Sequence, residues 1–112
     1  MVPMLVVNYT SVNFNIVYFM IYIITYDLSE PGQNFENLVE KIKESGSWAK
    51  LGGSAYLVDS AKSAVELRDE CKKFIDSNDK LYVGQVEAPA AWSGMPQDVS
   101  NWIKDKLKKH EL

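Results

Sequence analysis

The chain has 112 residues, of which 46% are hydrophobic and 24% are charged, and its formal net charge is −3. This length and composition are typical of one globular domain that buries roughly two thirds of its unfolded surface. The negative net charge argues against strong, sequence-independent binding to nucleic-acid phosphates, although a local basic patch is compatible with it.

The first 19 residues carry no charged side chain, so a membrane or export role has to be considered. The continuous apolar run covers only residues 16–24, which is shorter than the roughly 20 residues that a bilayer span needs. The basic start and the small-residue cleavage site of a signal peptide are missing. Residues 12–16 alternate apolar side chains with asparagine and predict a strand or arm that prolongs the sheet. The alternative is that translation starts at Met20 and that residues 1–19 are a misassigned extension.

The stretch from Met20 to Asp27 is predicted to be the central strand of the fold. Its side chains are mostly β-branched or aromatic, and they are apolar on both alternating faces, which is typical of a strand covered on both sides. The run stops at Asp27, and the loop signal of Pro31 and Gly32 follows. The sequence therefore places a carboxylate at the carboxyl end of this strand.

An amphipathic helix and a hairpin are predicted next. Asn34 is a suitable cap for a helix that carries one apolar stripe and ends at Gly46. Ser47–Leu51 and Ser54–Val58 have the composition of strands, and Gly52-Gly53 forms the tight turn between them. Two strands joined in this way must be antiparallel neighbours.

A second helix is predicted to begin at Ser63, which forms a capping box with Glu66. Cys71 is the only cysteine of the chain, so an internal disulfide and a thiolate zinc site are excluded, and a reducing cytoplasm is the natural setting. We interpret its thiol as a small core group. The buried stripe of this helix is predicted to consist of Ala64, Leu67, Cys71 and Phe74.

The remaining predicted elements are a turn, a strand and a final helix. The turn covers Asp76–Asp79, the strand covers Leu81–Val86, and Pro96 occupies the first turn of the helix. His110, at the carboxyl end of this helix, is interpreted as a solvated terminal residue. The side chains of the final helix that are predicted to face inward are Val99, Trp102, Ile103 and Leu107.

This order of elements, βαββαβ, predicts an α+β fold of the ferredoxin-like type over residues 20–112, with an appended C-terminal helix. The sheet is then antiparallel, the first strand lies in its interior, and two helices cover one face. Because the first strand is apolar on both sides, the other face also needs a cover. The C-terminal helix, the N-terminal extension or a second copy of the chain could provide that cover, and we favour a homodimer.

The same topology gathers carboxylates at one end of the sheet. The strand that follows the Asp76–Asp79 turn pairs with the first strand, so Asp27 is expected to come near Asp79. Carboxylate oxygens are suitable ligands for a divalent cation, which predicts a metal site that includes Asp27 and Asp79. The alternative is structural, with Asp76 and Asp79 forming the turn and Asp27 capping the loop that follows it.

Several motifs lie within residues 20–107: the start MIYIITYDL, GSW at Gly46–Trp48, SAYLV from Ser54, SAVELRD from Ser63, DSND at Asp76–Asp79, and the late Trp92 and Trp102. Together they resemble the small SinR-like family, which itself looks like a relative of the ferredoxin-fold CRISPR-associated endoribonucleases and the VapD toxins. The resemblance implies a homodimer with an aspartate at the dimer interface, at a position that matches Asp27, and a metal-dependent nuclease activity. The chain departs from that pattern in its acidity and in having Arg68 as its only arginine, which argues against a role in DNA integration.

Three functions are compatible with these residues. The first is a non-catalytic homodimeric binding protein whose cleft presents Trp48, Tyr56 and Trp92 to a nucleotide or nucleic acid, with Trp92 as the exposed tryptophan. The second is a metal-dependent endonuclease for RNA or DNA, in which Asp27 is catalytic and holds Mg²⁺ or Mn²⁺ at the dimer interface. This second function lacks an evident general base. The third is a dimer that binds only protein partners, for instance an antitoxin-like protein.

Overall fold

The computed structural model describes residues 18–30 and 35–110. The predicted strand within residues 12–16 and the predicted cap Asn34 lie outside these ranges. Every other predicted helix and strand is present, with bounds shifted by no more than a few residues. In chain order the elements are β1 (Met20–Asp27), α1 (Glu36–Glu44), β2 (Ser47–Gly52), β3 (Ala55–Ser60), α2 (Ala64–Lys72), β4 (Lys80–Val86) and α3 (Gln97–Lys109).

The four strands form one antiparallel sheet in the order β2-β3-β1-β4. In the centre of the sheet, Ile24 of β1 lies opposite Tyr56 of β3 on one side and Val83 of β4 on the other. The two-glycine hairpin makes β2 and β3 neighbours, as predicted, with an irregularity in the register between Lys50 and Gly52. The predicted interior position of the first strand is therefore confirmed.

The sheet is covered on both faces, and each face has its own hydrophobic core. α1 and α2 pack on one face, where the buried core residues are Ile24, Leu38, Ile42, Tyr56, Val58 and Cys71. α3 packs on the other face, around Ile21, Leu57 and Ile103. Because the two cores use alternate residues of β1 and β3, these strands must be apolar on both sides. Three covers were predicted for the second face, and within the described residues the C-terminal helix is the one that covers it.

Local signals set the start and end of α2. The Ser63 Oγ accepts a hydrogen bond from the Glu66 backbone N–H at 3.1 Å, and the Glu66 carboxylate accepts one from the Ser63 N–H at 3.1 Å, which is the predicted capping box. The helix ends at Lys72, so Phe74 falls in the turn beyond it and is 38% exposed. The prediction that Phe74 is buried is wrong, and Ile75 packs against the core instead.

α3 is attached to the sheet through Asp59, a carboxylate on β3 that is only 3% exposed. The Nε2 atom of His110 lies 2.9 Å from Asp59 Oδ1, and Lys109 Nζ lies 3.1 Å from Asp59 Oδ2. Lys106 Nζ is 3.7 Å from the same Oδ2 atom. The interpretation of His110 as a solvated residue is thus wrong, because the end of α3 folds onto a buried carboxylate. Within the described ranges, none of the helices has the length and apolarity needed to cross a bilayer.

Candidate functional site

The acidic end of the sheet is built around Asp79, whose carboxylate closes a turn. Its Oδ1 atom accepts hydrogen bonds from the backbone N–H of Ser29 at 2.8 Å and from the Ser29 hydroxyl at 3.1 Å. Its Oδ2 atom accepts one from the Asp76 N–H at 2.7 Å. The predicted proximity of the end of β1 to this turn is therefore correct. The hydrogen bonds made by Asp79 are those of a turn former that ties the loop after β1 to the α2–β4 turn.

Asp27 is exposed, whereas the Asp79 carboxylate accepts hydrogen bonds from Ser29 and Asp76. In the sheet register its neighbour is Lys80 of β4, which places opposite charges across the two strands. Among the described residues, no group of three or more His, Cys, Asp or Glu side chains is arranged to hold a metal ion. The predicted pair of Asp27 and Asp79 is thus not accompanied by a third ligand in this part of the chain.

Aromatic side chains and lysines meet on the α1 face of the sheet, at the β2 edge. Trp48 is 39% exposed and meets the buried Tyr56 ring in a T-shaped contact, with 6.1 Å between the ring centroids. Lys43 Nζ lies 4.4 Å from the Trp48 ring centroid, and Lys50 Nζ lies 5.8 Å from the Tyr56 ring centroid. We call Lys43, Trp48, Lys50 and Tyr56 the aromatic patch. It combines flat apolar surface with two positive charges.

A cleft of about 400 Å³ adjoins the aromatic patch, with Lys50 and Tyr56 belonging to both. Burial raises the pKa of Tyr26 in this cleft, and the neighbouring Tyr56 raises it further, against a smaller opposing effect of a hydrogen bond with Ser54. The Tyr26 hydroxyl is therefore protonated at neutral pH and can donate a hydrogen bond. The residues that line the cleft are Tyr26, Asp27, Leu28, Glu30, Phe35, Lys50, Gly53, Ser54 and Tyr56.

The predicted binding residues do not form a single site. Trp92 packs with the α3 core on the opposite face from Trp48 and Tyr56, and its Nε1–H donates to the Ser100 hydroxyl at 3.1 Å. The exposed tryptophan is Trp48, which corrects the expectation that Trp92 is the exposed one.

The lysines of the aromatic patch are not among the residues predicted from the sequence to form a site. Lys50 lies two residues after Trp48 on the same strand, so the period of a strand places both side chains on one face, and this signal was present in the sequence. Lys43 comes from α1, and its contact with Trp48 depends on how that helix packs. Comparisons of the chain with protein-family models, with curated proteins and with solved structures found no match.

Cys71 is fully buried in the α1/α2 core, and this burial raises the pKa of its thiol from 9.0 to about 11. At neutral pH the folded chain then has about a hundredfold less thiolate than an exposed cysteine. We expect a thiol reagent at about pH 8 to modify the native protein at least a hundred times more slowly than the urea-unfolded protein. A native rate close to the unfolded rate would contradict this buried position. Burial disfavours the thiolate in the folded state, so the unfolded thiol loses its proton at the lower pH. The contribution of this thiol to the free energy of unfolding is therefore fully present below pH 9.0 and is lost as the pH rises to about 11.

Proposed function

We propose that this chain is a non-catalytic binding module of the ferredoxin-like fold that takes a nucleotide or a short single-stranded nucleic acid on the aromatic patch. The strand order β2-β3-β1-β4, with α1 and α2 on one face, supports that fold type. We also propose that the protein acts as a homodimer and that its motifs reflect kinship with the SinR-like family. The observation that carries the functional proposal is the exposed Trp48 ring, held against Tyr56 and flanked by two lysines.

The chemistry of the aromatic patch suits a base and a phosphate at neighbouring positions. A base that stacks on an aromatic side chain gains about 1–3 kcal/mol, largely without regard to its identity. Lys43 and Lys50 supply the positive charge that a phosphate requires, and neither of them forms an ion pair within the described residues. This local charge compensates for the acidic balance of the whole chain.

The adjoining cleft suits the polar part of the same ligand. Its volume of about 400 Å³ lies in the range of pockets that hold small molecules. Asp27 and Glu30 line it and can accept hydrogen bonds from ribose hydroxyls or from exocyclic amino groups, while Tyr26 can donate one. The cleft and the aromatic patch together provide a stacking surface, cations and acceptors for one nucleotide unit.

Replacing Trp48 with alanine is expected to weaken binding of a fluorescently labelled single-stranded oligonucleotide by about 1–3 kcal/mol, or roughly 5- to 150-fold in Kd. Fluorescence anisotropy measures this without relying on the tryptophan itself. Phe74→Ala is the matched control, because Phe74 is exposed to nearly the same extent but lies beyond α2, and it should leave the Kd unchanged. Lys50→Gln should make the remaining binding less dependent on salt.

Wild-type protein that binds neither mononucleotides nor oligonucleotides would overturn this proposal. Equal losses in Trp48→Ala and Phe74→Ala would overturn the assignment to the aromatic patch. The same assay, run with Mg²⁺ or Mn²⁺ and then with EDTA, reports cleavage of the probe.

The second candidate function is a metal-dependent endonuclease that uses Asp27. The observation that favours it is that Asp27 and Glu30 line one cleft, where two carboxylates offer oxygen ligands to Mg²⁺ or Mn²⁺. Asp79, the other predicted ligand, accepts hydrogen bonds from Ser29 in the loop after β1 and from Asp76 in its own turn. Metal-dependent cleavage of the probe that is lost in Asp27→Asn would support this function over simple binding.

A further inference from the structure

β4 forms one edge of the sheet, and its seven residues pair with β1 alone among the described strands. In an antiparallel ladder only alternate residues of an edge strand bond to the inner strand, and the others direct their N–H and C=O groups outward. The outer side of β4 is thus a row of backbone donors and acceptors that another strand can join.

The opposite edge of the sheet differs from β4 in its regularity. The register of β2 is interrupted between Lys50 and Gly52, and its first residue, Ser47, accepts a hydrogen bond from Trp102 of α3 at 2.9 Å. Bulges and covering helices are devices that protect strand edges. β4 reads KLYVGQV, with no proline, no break in its register and no charged residue between Lys80 and Glu87.

Exposed apolar side chains flank the β4 edge on both faces. Tyr82 is 63% exposed, and its ring lies over Gly84, where an added Cβ would come within 2.7 Å of the ring. On the other face, Val65 of α2 is 55% exposed and borders a groove of about 230 Å³. That groove is lined by Ala64, Val65, Arg68, Leu81, Tyr82 and Val83.

We propose that the outer edge of β4 pairs antiparallel with β4 of a second copy of this chain, so that two four-stranded sheets become one continuous sheet. The two-fold axis of such a pair is perpendicular to the sheet, so residues that lie opposite each other share a face. With Val83 on the axis, Tyr82 lies opposite the partner's Gly84, and a tyrosine ring covers a position that has no side chain of its own.

The sequence of β4 is self-complementary in this register. Leu81–Val86 carries no charge, so along these residues two copies meet without like charges face to face despite the net charge of each chain. The exposed Tyr82 ring is the side chain that gains most by burial at the new contact. This inference rests on the homodimer that is part of the proposed function, and it identifies the β4 edge as the surface through which the two copies associate.

Sedimentation equilibrium of the full chain, at about 1–200 µM, tests the edge pairing. We expect a dimer in the wild type and a monomer in Tyr82→Lys, because a lysine at an exposed edge position blocks strand pairing. The dimer dissociation constant should rise by about tenfold or more. Trp48→Lys, an exposed aromatic replaced in the same way on the opposite edge, should remain a dimer.

Hydrogen exchange supplies a second readout that does not depend on a variant. Alternate β4 amides should exchange more slowly as the protein concentration rises, and β2 amides should not. A wild-type dimer that Tyr82→Lys leaves intact, or β4 amides that exchange independently of concentration, would overturn the edge pairing while keeping the homodimer. A wild type that is monomeric throughout would overturn both. A cooperative thermal transition in Tyr82→Lys shows that the variant folds, although its midpoint should be lower than that of the wild-type dimer.

Discussion

Replacing Gly46 with alanine is expected to lower the free energy of unfolding by about 3 kcal/mol or more, which is in the range of severe point mutations. A Cβ at this position would overlap the backbone carbonyl oxygen of Asp59 and lie 3.0 Å from its carbonyl carbon. The obstructing atoms belong to β3, which is held between β2 and β1, so they cannot move aside as a flexible side chain would. The glycine is required here by the close approach of two backbones.

Urea denaturation followed by tryptophan fluorescence measures this loss. Gly53→Ala is the matched control, since an added Cβ there has no heavy atom within 4 Å and the cost comes only from a φ of +52°. That cost is about 1 kcal/mol. A loss in Gly46→Ala no larger than that of Gly53→Ala would show that the approach of Gly46 to β3 is looser than described.

Replacing Asp59 with alanine is expected to lower the free energy of unfolding by about 2–4 kcal/mol. The substitution removes a buried carboxylate and leaves its partners at the end of α3 without their acceptor. Asp59 is 3% exposed, and its oxygens lie within 3.1 Å of His110 Nε2 and Lys109 Nζ. Without it, the half-buried His110 loses the acceptor that holds it in place, and the last turn of α3 loses its attachment to β3. Thermal unfolding with far-ultraviolet circular dichroism reports both the stability and the helix content.

The control for Asp59 is Asp69→Ala. Asp69 is exposed and pairs with its neighbour Arg68, so its removal should change stability by no more than about 0.5 kcal/mol. A double-mutant cycle of Asp59→Ala with His110→Ala then isolates the pairwise term. Additive losses in that cycle would mean that the two side chains do not stabilise each other.

The central strand, the hairpin and the start of α2 were predictable because the sequence signals for them are local. The two-sided apolar pattern of Met20–Asp27 indicated a central strand, Gly52-Gly53 indicated a hairpin, and Ser63 with Glu66 indicated a helix start. Each of these signals uses residues within a few positions of one another. They need no knowledge of how distant parts of the chain pack.

The errors arose where a residue's surroundings are set by distant parts of the chain. His110 and Trp92 belong to segments whose burial depends on how α3 lies across the second face, and the sequence period does not show that arrangement. Phe74 continued the helical period, but the helix stopped two residues earlier. Of the candidate site, the sequence predicted Trp48 and Tyr56, which lie together, but it missed Lys43, whose contact depends on the docking of α1.

The central position of β1 also determines when the chain can fold during its synthesis. Both partners of β1 are made after it, and Val86, the last residue of β4, is the 59th residue added after Asp27. At roughly 5–20 residues per second, a ribosome needs about 3–12 s to cover that distance. During this time β1, which carries apolar side chains on both faces, lacks at least one of its two neighbours, because β3 is complete at Ser60 and β4 only at Val86. We expect the nascent chain to be open to chaperones that bind extended apolar segments, and slower translation to prolong its exposure to aggregation.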